Sequence, residues 1–85
     1  MVMKSDAPSA IQHMAVKRDE CLQHAGKFLK HGGDQGGPYV RAWLIRAFAQ
    51  HKQIRKCAER YCLPVPPLPE MPDELLAIWA EMRLT

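Results

Sequence analysis

Ala7 to Lys30, APSAIQHMAVKRDECLQHAGKFLK, and Tyr39 to Cys62, YVRAWLIRAFAQHKQIRKCAERYC, decide the fold. In the first stretch apolar side chains recur at Ile11, Ala15, Leu22, Ala25 and Leu29, with Arg18 as the one polar member of the series. In the second they recur at Val40, Leu44, Ala47, Ile54, Ala58 and Tyr61, with His51 as the polar member. Alternating steps of three and four make the stripe of an amphipathic helix. The two stripes are mirror images: Leu29 with Val40, Ala25 with Leu44, Leu22 with Ala47, Arg18 with His51, Ala15 with Ile54 and Ile11 with Ala58 all total 69 in residue number. A constant total is the register of an antiparallel helical hairpin, since each step away from the turn is matched on the returning arm. Arg18 and His51 then fall at one height.

Outward from the hairpin, the spacing predicts an all-α single domain over 1–85: helix 7–31, a glycine-rich loop 32–38, helix 39–62, a proline-rich strap 63–71 and a short helix 72–84. Pro8 suits a first helical turn, and Ser9 with Gln12 fits a capping box. Gly32-Gly33 permits a left-handed helix end, with Lys27, Lys30 and His31 favourable to the dipole of the last turn. Four of the five glycines fall in the loop. It lacks the Gly-Lys-Ser/Thr ending of a phosphate-binding loop, and no strand precedes it, so it reads as a hairpin turn rather than a phosphate cradle. The strap, Leu63 to Met71, reads LPVPPLPEM, an extended polyproline-type connector. Pro72, Asp73 and Glu74 open the last helix, whose stripe is Leu75, Ile78, Trp79 and Met82. Too short to hold alone, it is expected to dock in the groove beside Met14, Cys21, Phe28 and Trp43.

Composition narrows the function classes. A chain of 85 residues has a thin core, so a partner or second copy matters to it. Eighteen consecutive apolar residues do not occur, which speaks against a membrane span, and MVMKSDAPSA lacks the apolar centre of a signal peptide. Three cysteines form no disulfide framework and suit a reducing, cytoplasmic setting. The net charge of +3 is asymmetric: residues 1–62 carry +6 and residues 63–85 carry −3.

Each candidate chemistry meets a geometric objection. Cys21, His24, Cys57 and Cys62 are zinc-ligand types, but on a helix Cys57 and Cys62 point about 140° apart, whereas structural zinc sites use close pairs on turns. His13, Glu20, His24 and His31 read as a solvated outer face rather than a metal site. Arg46-x4-His51 matches the Arg-x4-6-His pattern of HEPN-type ribonucleases, yet in mid-helix the two also diverge by about 140°. No metal, cofactor or catalytic set is therefore expected. Arg18 and His51 in an apolar seam need acceptors or water. The expectation is that Arg18 snorkels and His51 stays neutral, or that Glu81 or a partner's carboxylate completes the layer.

The second helix is greasy on both sides. Opposite the seam, Ala42, Ile45 and Ala49 form a small apolar patch rimmed by Arg41, Arg46 and Lys52, the pattern of an interface core with a polar border. This makes a homodimer, or a different protein, the expected partner at Ile45. The alternative is a nucleic-acid regulator tracking phosphates with Arg41, Arg46, Lys52, Lys56 and Arg60. Cys57 to Val65, CAERYCLPV, begins like a helix-turn-helix, but Pro66, Pro67 and Pro69 occupy the place of its recognition helix.

Glu59-Arg-Tyr-x-x-Pro-Val65, Pro72-x-x-Leu75 and Trp79-x-x-x-Arg83-Leu84 together resemble a stretch of the theta subunit of bacterial DNA polymerase III. The resemblance covers less than a third of the chain, with different spacing between its blocks and no counterpart of the preceding hairpin. That family is small, helical and non-catalytic and binds the proofreading subunit, so the resemblance implies a protein-binding role. The composite expectation is a non-enzymatic interaction protein that inhibits or stabilises a larger partner, in the manner of phage and mobile-element accessory proteins.

Overall fold

The computed structural model describes residues 6–31 and 36–82. Three helices, α1 (Ala7–His31), α2 (Gly36–Tyr61) and α3 (Asp73–Glu81), make an all-α structure. Antiparallel α1 and α2 form a hairpin in a body 45 × 20 × 19 Å. The length follows from α2, whose 26 residues rise about 1.5 Å each.

The seam is the one the stripes specify. Ile11, Ala15, Leu22 and Ala25 of α1 are buried, as are Val40, Leu44, Ala47, Ile54 and Ala58 of α2. Arg18 divides the core in two. Towards the turn, Leu22, Ala25, Val40, Leu44 and Ala47 pack with Met71, Leu75 and Trp79. Towards the far end, Ile11, Ala15, Ile54 and Ala58 pack together.

Helix boundaries depart from the sequence reading in three places. First, α2 begins at Gly36, so Gly36, Gly37 and Pro38 are its opening residues and not loop. The first four N–H groups of any helix lack an internal acceptor, so proline and glycine lose no hydrogen bond there. Residues 32–35, which hold the rest of the glycine-rich loop, lie outside the described residues. Second, α1 begins at Ala7, which places Ser9 inside the first turn and overturns the Ser9–Gln12 capping box. Third, α3 ends at Glu81 instead of Leu84, with Met82 as its cap; residues 83–85 lie outside the described residues.

The end of α2 is a turn the sequence did not announce. Cys62 has φ 55°, a left-handed conformation usually taken by glycine. Leu63 N donates to Ala58 O at 2.8 Å and Cys62 N to Glu59 O at 3.4 Å, the paired bonds of a Schellman motif. Leu63 then packs on the core beside Ala58. This turn reverses the chain and sends residues 63–72 back along the hairpin as an irregular strap.

Candidate interaction surfaces

Arg18 joins the hairpin to the strap. Its side chain is completely buried, contrary to the snorkelling expectation. The guanidinium donates from Nη1 to Pro66 O at 3.1 Å and from Nη2 to Pro67 O at 2.9 Å. Nη1 lies 3.1 Å from His51 Nδ1, and Nε is 3.0 Å from Asp19 Oδ1. The chemistry is complementary: prolines offer carbonyl acceptors without N–H donors, and arginine offers five donors without an acceptor. Because Arg18 can only donate, His51 Nδ1 accepts, which assigns a neutral imidazole with its proton on Nε2. Burial, then the Arg18 charge, then the Arg55 charge hold the His51 pKa below the ordinary histidine value. Glu81 does not complete this layer; it lies 3.5 Å from Arg41 on the surface.

The strap and α3 cover one side of the hairpin. Met71, Pro72 and Leu75 border a cleft with Asp19, Leu22, Gln23 and Gly26 of α1. Trp79 meets Phe48 and His51 of α2 edge-on, at ring-centroid distances of 6.3 and 6.4 Å. This corrects the expected docking groove. At 100° per residue, Met14, Cys21 and Phe28 project from the opposite side of the α1 stripe, and Trp43 from the opposite side of the α2 stripe. The reason is the Arg18 anchor: the strap crosses on the Asp19 side and delivers α3 there.

No other described element covers the side expected to receive α3, and that side carries a ladder of rings. Phe28 stacks on Tyr39 at 5.0 Å and His24 on Trp43 at 4.5 Å. Both pairs total 67 in residue number, one step of register beside the seam. Arg46 lies over the Trp43 ring at 4.9 Å, a cation–π arrangement. Phe28 and Trp43 are half-buried and Tyr39 is 56% exposed. A hollow of about 440 Å³ runs beside Phe28, bordered by His24, Lys27 and His31. Sequence reasoning had placed Phe28 and Trp43 under α3 and His24 on a solvated face. The signal for the ladder was present in the second constant total.

The patch on the back of α2 is also uncovered. Ile45 is 55% exposed, and Ala42 and Ala49 are exposed. Its rim is less free than the sequence implied: Arg41 pairs with Glu81 and Arg46 turns to Trp43, which leaves Lys52. Of the five residues of the nucleic-acid alternative, Arg41 and Arg46 make these same contacts. Arg60 lies 5.6 Å from the Tyr61 ring centroid, while Lys52 and Lys56 border a cleft with Phe48, Arg55 and Glu59.

The remaining candidates are held apart. Arg46 faces Trp43 whereas His51 faces Arg18 in the seam, so the Arg-x4-His pair does not converge. Cys21 and Cys57 are half-buried and Cys62 is exposed. Burial raises the Cys21 pKa, opposed by nearby Arg46 and reinforced by Glu20. Among the described residues no group of three or more His, Cys, Asp or Glu side chains is placed to hold a metal ion. No described helix is long and apolar enough to cross a membrane. No protein-family model, curated protein or solved structure matches the chain.

Proposed function

We propose that this chain is a non-enzymatic helical interaction protein that binds and modulates a larger protein. The observation that carries the reading is the one-sided cover of the hairpin: strap and α3 occupy one flank, and the rings of Phe28, Tyr39 and Trp43 stay accessible on the other. Aromatic residues joined to an arginine are the side chains most often found at the energetic centre of protein interfaces. The patch at Ala42, Ile45 and Ala49 adds a second apolar area, and through it the protein could also pair with its own copy.

A second reading, nucleic-acid binding, draws on one specific observation. Lys52, Arg55 and Lys56 flank one cleft, and none of the three is held in an ion pair among the described residues.

Site-specific photo-cross-linking in cells of the source organism separates the readings. A benzoylphenylalanine at position 43 or 45 is expected to capture a protein larger than this chain, and one at position 56 to capture neither protein nor nucleic acid. Nucleic acid captured at position 56, with no protein at 43 or 45, overturns the reading. Capture of a second copy at position 45, lost together with dimer mass in light scattering of Ile45→Glu, assigns that patch to self-association.

A further inference from the structure

The open aromatic face has a charge character that specifies its occupant, and we infer that it seats an acidic amphipathic helix of the partner protein. This rests on the protein-binding reading and names the chemistry of the bound element. Cationic groups share the face of the ring ladder: Arg46 lies over Trp43 on α2, and Lys17, seven residues before His24, falls on the same face of α1 by helical spacing. The α1 flank has one carboxylate, Glu20, at its outer margin. A helix laid across the ring ladder would put apolar side chains on Phe28, Tyr39 and Trp43 and carboxylates beside Arg46 and Lys17. An amphipathic helix that lays its apolar face on an apolar surface is a recurring mode of recognition.

The chain contains a worked example of that interaction on its other flank. There α3 buries Leu75 and Trp79 against the seam and places Glu81 3.5 Å from Arg41. Acidic Asp73 and Glu74 open the same helix. One flank of the hairpin is thus closed by an acidic amphipathic helix in cis, and among the described residues no helix covers the matching rings and cations of the opposite flank. Charge argues against a second copy as occupant: two open faces brought together would set Arg46 and Lys17 against their own kind, and like charges in a desolvated contact oppose association. Leu75 and Trp79 of α3 are already buried in their own chain.

The test uses the full-length, isotope-labelled protein and two synthetic peptides with one leucine–isoleucine–tryptophan stripe. In one peptide the flanking positions are glutamate and aspartate, in the other lysine. The acidic peptide is expected to shift the Trp43 indole and Tyr39 amide resonances and to bind at least about tenfold more tightly than the lysine peptide. Arg46→Glu should remove that preference, and Lys17→Glu should weaken it, with helical content unchanged by circular dichroism. Ile45→Glu should bind the acidic peptide as the unaltered protein does. Equal binding of the two peptides, shifts centred on Ile45, or no shift at about 1 mM acidic peptide overturns the inference. The broader reading survives any of these if a partner is still cross-linked at position 45, and falls with it if positions 43 and 45 capture no protein.

Discussion

Replacing Arg18 with alanine tests the joint on which the arrangement of strap and third helix depends. The guanidinium makes three contacts with uncharged acceptors, at 3.1 Å to His51 Nδ1, 3.1 Å to Pro66 O and 2.9 Å to Pro67 O. A hydrogen bond with one charged partner contributes roughly 1.5–3 kcal/mol net. The lower end applies, because Pro67 is exposed and Pro66 and His51 are half-buried, so the freed acceptors reach water. Asp19 adds little: its side chain is 36% exposed, and an ion pair so placed is screened. The expected loss is about 3–5 kcal/mol, from three such bonds at the lower end of that range. Total stability for a domain of this length is roughly 4–13 kcal/mol, so the substitution removes a quarter of it or more. Urea denaturation followed by circular dichroism measures the loss. Hydrogen exchange locates it, with amides of α3 losing protection before those in the middle of α1. Arg18→Lys should recover only part of the stability, since an ammonium cannot span two carbonyls as a planar fork does. A loss below about 1 kcal/mol, or α3 amides as protected as those of α1, would refute the anchor.

Two further outcomes follow from the same geometry. His51 has a folded pKa depressed by burial, Arg18 and Arg55, with the Trp79 ring as its uncharged neighbour; the unfolded chain therefore takes up the proton first. Stability should be level above about pH 7 and fall as pH drops below the unfolded value near 6.5, at no more than about 1.4 kcal/mol per pH unit for one proton. His51→Gln, which keeps an acceptor for Arg18 without a titrating group, should flatten that decline; an unchanged decline in thermal or urea denaturation between pH 7 and 5 would assign it to other groups. Gly26 lies in the interior of α1, and a Cβ added there meets nothing within 4 Å. Gly26→Ala should stabilise the protein by roughly 0.5–1 kcal/mol, by removing backbone freedom from the unfolded chain, read as a rise in the urea midpoint.

Much of the fold was legible because helical periodicity is local. Ile11 through Leu29 and Val40 through Ala58 repeat at the spacing of a buried stripe, and burial against each other is the only way both can leave water. Antiparallel register then follows from arithmetic, and so does the meeting of Arg18 with His51. The start of α3 was equally local: Pro72 sets the backbone, and Asp73 and Glu74 favour the first turn. What the sequence by itself could not determine was the side of the hairpin on which the strap would run. Apolar side chains border the seam more richly on the flank of Cys21, Phe28 and Trp43 than on that of Gln23, Gly26 and Phe48, so hydrophobic patterning pointed to the flank that α3 does not take. The choice was made by contacts distant in sequence: the left-handed turn at Cys62, and a guanidinium in α1 that meets carbonyls of Pro66 and Pro67. Those carbonyls are backbone atoms and leave no mark on residue identity beyond the prolines themselves. With the strap committed to the Asp19 flank, α3 had to follow, and the described residues leave the aromatic ladder on the other flank without cover.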